Sequence, residues 1–140
     1  MKKLLVLGAG GPQLDVIITA KEMGVYVYAI AKDNNGIAFS YVDKFIEMDI
    51  LDTDSINKLI KEEQIDAVFS AGIEISIPIL TEVSNNNNLR SFVTQKSIEM
   101  FDDKSVWRET LGDIVGNLKH KSGTKLEDFK NWKVFPAVIK

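Results

Sequence analysis

Leu4-Leu5-Val6-Leu7 is an uninterrupted apolar run that stops at Gly8-Ala9-Gly10-Gly11. Such a run suits a strand buried on both faces, the condition of a central strand in a parallel sheet. Pro12 follows at a position suited to the first turn of a helix. Leu14, Ile17 and Ile18 then recur at helical spacing, and Gly24 stands where a helix C-terminal glycine belongs. The chain therefore opens as strand, glycine loop and helix, a beginning that leads into a βαβ unit.

The alternation continues. Residues 25–31 are β-branched and aromatic and predict a second strand. Lys32-Asp33-Asn34-Asn35-Gly36 is a turn cluster, and residues 45–48 predict a third strand. Asp52-Thr53-Asp54-Ser55 offers helix-capping oxygens ahead of a buried stripe at Ile56, Leu59 and Ile60. Residues 66–70 predict a fourth strand, with Gly72 just beyond it. A helix is expected over 75–83, a surface loop at the four asparagines 85–88, and a fifth strand over 90–93. Residues 96–100 and 103–111 predict two short helices, 112–125 a polar linker, and Ala137-Val138-Ile139 a last strand.

Strands alternating with helices define the α/β class: a Rossmann-like parallel sheet with helices on both faces. Right-handed crossovers set the ends of the first and fourth strands side by side, and ligands of such sheets sit outside that switch point. The expected organisation is a Rossmann-like domain over 1–93, a helical connector and linker over 94–125, and the start of a truncated second domain over 126–140. The final apolar strand, with nothing after it to pack against, reads as a chain cut off inside that second domain.

Composition narrows the function. A chain of 140 residues buries about two-thirds of its unfolded surface, and 45% apolar with 26% charged residues excludes wholesale disorder. The net charge of −3 leaves no basic excess for a nucleic-acid backbone. No cysteine is present, so a thiol nucleophile and a thiolate zinc site are excluded. His120 is the single histidine, so a multi-histidine metal site has no material. No stretch has the 18 apolar residues of a membrane helix. The run after Lys2 and Lys3 is too short for a signal peptide, and a cytoplasmic protein is expected.

The candidate site begins with Gly8, Gly10 and Gly11, which allow a tight turn and let a ligand approach backbone amides at a helix start. The dinucleotide fingerprint G-x-G-x-x-G has a third glycine where this chain has Gln13, which keeps the helix from approaching the sheet in the usual way. Asp33 stands about 20 residues on, where a ribose-binding acid is expected. An anion-binding loop and a glycine turn without a ligand are both open. Gly72, Glu74 and Ser76 follow the fourth strand, facing the glycine loop across the crevice. Glu74 could bind an amine or hydroxyl, or serve only in capping and solvation, and the same choice holds for Asp33 and Asp43. Asp103-Lys104 opens a capped amphipathic helix carrying Val106, Trp107 and Leu111. His120 reads as a solvated loop residue, and Trp107 and Trp132 as packing residues.

These segments, in their order, resemble the N-terminal part of ATP-grasp proteins, in the carbamoyl-phosphate-synthase-like and carboxylate–amine ligase branches. The resemblance rests on Leu5-Val6-Leu7-Gly8-Ala9-Gly10-Gly11, the helix end Ala20-Lys21-Glu22-Met23-Gly24, and Ser40-Tyr41-Val42-Asp43-Lys44-Phe45. Ile65-Asp66-Ala67-Val68-Phe69, Asp103-Lys104-Ser105-Val106-Trp107-Arg108 and Phe135-Pro136-Ala137-Val138-Ile139-Lys140 complete it.

By that resemblance, Lys104 and Lys140 approach the phosphates of ATP, where two ammonium groups offset charge on a transferred phosphoryl. Gly8, Gly10, Gly11 and Glu74 face a small carboxylate or phosphate substrate. The cofactors implied are ATP and Mg2+ for the full-length family member. The family's flexible phosphate-covering loop, adenine-contacting segment and magnesium ligands follow the position of Lys140, so no ligation is expected from residues 1–140 alone. No catalytic or metal-ligating residue is expected in the chain itself. Two other readings stay open: a stand-alone nucleotide- or anion-binding module without catalysis, and an interaction domain whose terminal strand pairs with a partner. Monomer and homo-oligomer are both open.

Overall fold

The computed structural model describes residues 1–114, 116 and 118–138. The chain divides into two compact units, Met1–Gln95 and Lys96–Lys140, each described by itself.

The first unit is a four-stranded parallel sheet in the order β3-β2-β1-β4, built from β1 (Lys3–Leu7), β2 (Tyr26–Ala31), β3 (Lys44–Glu47) and β4 (Ala67–Phe69). β1 pairs with β2 in the register Lys3↔Tyr26 to Leu7↔Ile30, and with β4 from Leu4↔Ala67 to Val6↔Phe69. Side chains of a strand alternate between faces. Leu5 and Leu7 therefore enter one core layer, with Tyr28, Ile30 and Val68, while Val6 enters the other, with Val27. Both layers are buried, which explains why β1 reads as a continuous apolar run rather than an alternating one.

Helix α1 (Gly11–Glu22) covers one face through Ile17 and Ala20. Helices α2 (Thr53–Glu63) and α3 (Ser76–Asn86) cover the other through Ile56, Leu59, Ile60, Leu80 and Val83. The chain moves outward from β1 to β3 and then returns past β1 to β4. A crossover of constant hand that reverses its direction must lie on the opposite face. The α/β fold with helices on both faces is thus the one the sequence calls for. Local signals agree: Asp52 caps α2 by accepting from the Ser55 amide at 3.1 Å, and Gly24 takes φ +73°.

Three expectations are corrected. Residues 90–93 are not a strand. The Val93 amide donates to Ser91 Oγ at 3.2 Å, Leu89 and Val93 pack against the α2/α3 core, and the Phe92 ring lies 5.3 Å from that of Phe69. Side-chain packing, not ladder pairing, engages Phe92 and Val93. The asparagine run is not a simple loop either: Asn85 and Asn86 finish α3, and Asn87 caps it, donating to Asn57 Oδ1 at 2.6 Å and to the Val83 carbonyl at 2.8 Å.

The third correction falls in the second unit. It holds α4 (Gln95–Asp102), which begins at the division, α5 (Lys104–Leu111), and a 3-10 turn at Leu126–Phe129. Residues 132–138 form no strand; the Trp132 indole instead donates to the Val134 carbonyl at 2.6 Å. A strand needs a neighbour to satisfy its backbone groups, and none adjoins this segment among the described residues. Ile139 and Lys140 lie outside the described residues. No helix among the described residues is long and apolar enough to cross a membrane.

Candidate functional site

The adjacency of β1 and β4 makes the switch point, and three loops gather at the carboxyl ends of the strands. The first is Gly8 to Gly11, the second follows β2, and the third links β4 to α3. Their contacts are backbone-close. The Ala38 amide donates to the Ala9 carbonyl at 3.0 Å, and Gly36 is so near that a Cβ there would lie 2.0 Å from the same oxygen. A Cβ on Gly72, whose φ is +67°, would lie 2.6 Å from Pro12 Cβ. Gly8, at φ +100°, adopts a conformation that side-chain-bearing residues avoid, with Ile73 directly against it.

The amides of this loop are unequally available. Gly8 donates to the Ile30 carbonyl at 2.8 Å, and Gly10 to Gln13 Oε1 at 2.9 Å. Pro12 has no N–H, and the Gln13 amide bonds back to the Gly10 carbonyl at 3.3 Å. Gly11 is exposed, and its amide has no acceptor among the described residues. Of the three glycines named from sequence, Gly11 alone thus presents a free donor at the start of α1.

Beyond β4, Ser76 is buried, with Oγ 2.5 Å from Ser70 Oγ and donating to the Ile73 carbonyl at 2.6 Å. That pair fixes the turn from which Glu74 projects into solvent, and the Glu74 carbonyl accepts from the Ile77 amide at 3.0 Å. Asp33 is exposed and accepts from the Asn35 amide at 2.9 Å, a turn-forming contact. Asp43 lies elsewhere, bonded to Lys21 Nζ at 2.7 Å and to the Val27 amide at 2.8 Å. Its burial alone would raise its pKa, but the bonds from Lys21 and Val27 outweigh that and hold it below the ordinary value.

In the second unit, Asp103 caps α5, accepting from the Ser105 amide at 2.7 Å and the Ser105 hydroxyl at 2.6 Å. Those hydrogen bonds hold its carboxyl below the usual range. Lys104 is the first residue of α5 and is exposed. Lys140 is outside the described residues. Among the described residues no three His, Asp or Glu side chains cluster so as to hold a metal ion. We assign the described residues no phosphoryl-transfer step.

Sequence reasoning saw Gln13 only as a missing glycine. It also did not single out Gly36, set against the Ala9 backbone, or Gly72's contact with the Pro12 ring, because both partners are distant in the chain.

The fold is that of the N-terminal part of ATP-grasp carboxylate–amine ligases, in line with the resemblance carried by the motifs. The chain is 33% identical over 84 residues to formate-dependent phosphoribosylglycinamide formyltransferase from Prochlorococcus marinus, covering 60% of this chain and 22% of that protein. Phosphoribosylglycinamide synthetase from Anaerococcus prevotii superposes with a TM-score of 0.67 at 26% identity, over 79% of this chain and 28% of that one. N5-carboxyaminoimidazole ribonucleotide synthetase from Thermotoga maritima gives 0.64 at 26% identity, over 79% and 30%. The chain thus spans less than a third of the length of each of these proteins. No family model matches it.

Proposed function

We propose that this chain is the substrate-side N-terminal portion of an ATP-grasp ligase. In the whole enzyme, Mg-ATP would activate a carboxylate as an acyl phosphate, which then passes to an amine or similar nucleophile. What supports the reading is the glycine loop set beside the β4–α3 loop at the switch point between β1 and β4, in a fold shared with synthetases over 79% of the chain.

Gly8 and Gly10 would shape this switch point, while the Gly11 amide and the Glu74 carboxylate would meet substrate. The names of the similar proteins support a small phosphorylated substrate: two carry phosphoribosylglycinamide and one a ribonucleotide. Lys104 and Lys140 would serve the nucleotide phosphates, and ATP with Mg2+ would belong to the complete clamp. Residues 1–140 alone would then turn over no ATP.

The test is a titration of the labelled chain with inorganic phosphate and with formate, read at the backbone amides. Saturable shifts at Gly11 and around Glu74, with no ATP hydrolysis, are expected. Hydrolysis of ATP by the purified chain, abolished by Lys104→Ala, would contradict the division of labour proposed. Saturable NAD binding at the glycine loop, with no response to phosphate or formate, would favour a stand-alone nucleotide-binding module instead.

A further inference from the structure

Gln13 occupies the place where a dinucleotide-binding loop has its third glycine, and it is only 1% exposed. Its Oε1 accepts from the Gly10 amide at 2.9 Å, and its Nε2 donates to the Ala71 carbonyl. One primary amide thus ties the loop after β1 to the loop after β4, the two loops of the switch point. The neighbouring glycines are shaped to this side chain. A Cβ on Gly8 would lie 3.2 Å from Gln13 Cδ, and one on Gly10 3.2 Å from its Oε1.

In a pyrophosphate-binding loop such glycines let the ligand reach backbone amides. Here the space they leave is filled from within by glutamine, and the Gly10 amide is already spent. A pyrophosphate entering the loop would have to evict the Gln13 side chain. The Ala71 carbonyl would then lose its donor, and a buried amide would be left unpaired.

We propose that Gln13 is the specificity-determining residue of this switch point: it excludes pyrophosphate, and with it dinucleotides, from the glycine loop and holds the two loops in register. The inference rests on the reading of this switch point as the substrate side, yet its test uses no ligase activity.

The test follows the Gly10 amide by NMR in the whole chain, with inorganic pyrophosphate as probe. In the unmodified protein this amide should be protected from exchange and should not move with millimolar pyrophosphate. In Gln13→Gly it should exchange about tenfold faster, the scale of one lost hydrogen bond, and should shift as pyrophosphate is added. Gln13→Glu, nearly the same size, keeps an acceptor for Gly10 but loses the donor to Ala71. It should perturb the Gly72 amide while leaving Gly10 protected and unresponsive to pyrophosphate. A purely structural role would lower the melting temperature of these variants without creating any pyrophosphate response in Gln13→Gly.

A saturable shift of Gly10 by pyrophosphate in the unmodified chain would overturn the proposal. So would a Gln13→Gly variant whose Gly10 amide neither exchanges faster nor responds. Should Gln13→Gly fail to fold, Gln13→Glu and the unmodified chain decide. Absence of phosphate or formate effects at Gly11 and Glu74 would count against the ligase reading and leave these outcomes unaltered.

Discussion

Gly36 stands against Ala9 so closely that a Cβ on it would lie 2.0 Å from the Ala9 carbonyl oxygen, the oxygen that also accepts from the Ala38 amide. The loop after β2 is therefore seated on the glycine loop, backbone to backbone.

Gly36→Ala should displace both loops, because a clash with backbone has no rotamer to relieve it. A loss of about 1–3 kcal/mol is expected, with shifted amide resonances at Ala9 and Gly10. Gly24→Ala is the control. Its φ of +73° brings conformational strain, but no atom lies within 4 Å of the new carbon. Denaturant titration and amide spectra of the two variants compare them. Equal losses with an unperturbed glycine loop would show that the seating is not what Gly36 is for.

Asp43 ties the start of β2 to the turn before β3 and is paired with Lys21. Its pKa lies below the ordinary value in the fold, so its contribution is present above about pH 4 and is lost as pH falls through the folded pKa. Asp43→Ala leaves the Val27 amide without its acceptor and should cost about 1–3 kcal/mol at neutral pH. The difference from the unmodified protein should shrink in acid, as measured by urea unfolding at a series of pH values. A difference independent of pH would remove the carboxylate from the explanation.

Tyr28 has a pKa pushed up to about 12. Burial is the main cause, followed by the hydrogen bond from its hydroxyl to Glu63 Oε2 at 2.8 Å and the Glu63 charge. Lys44 bonds the other Glu63 oxygen at 2.7 Å. A raised pKa means that the fold favours the protonated phenol. That stabilisation is full below pH 10 and is lost as pH climbs from 10 towards 12. Tyr28→Phe should therefore remove part of the alkaline fall in stability. Identical alkaline profiles for the two proteins would refute this assignment.

Ser84 is fully buried, and its hydroxyl has no partner among the described residues. A buried polar group without a hydrogen bond costs stability. Ser84→Ala should thus be neutral or stabilising by up to about 1 kcal/mol, read from the midpoint of chemical denaturation. A loss above that size would mean that an ordered water completes the site.

Much of this protein was legible in its residues. The run at Leu4 to Leu7, the capping Asp52 and the stripe at Ile56, Leu59 and Ile60 each carry a local cause, and each element forms where that cause puts it. Residues 90–93 misled because β-branched and aromatic side chains mark burial, yet Val93 is met by packing against the α2/α3 core rather than by pairing, and Phe92 stays exposed beside Phe69. The asparagine run misled because Asn87 finds its partner at Asn57, thirty positions away. The second unit was less legible, since an apolar stretch becomes a strand only beside another strand.

The sequence by itself determined the α/β class, the first four strands and the glycine loop at the head of α1, because periodicity, capping and turn chemistry act over a few residues. Only the tertiary structure decided what the glycines are for. Gly8 and Gly10 make room for Gln13, Gly36 for Ala9 and Gly72 for Pro12. The last two requirements come from residues that meet only once the sheet has closed, so no local pattern in the chain records them; the first is local but shows only when Gln13 turns back onto its own loop.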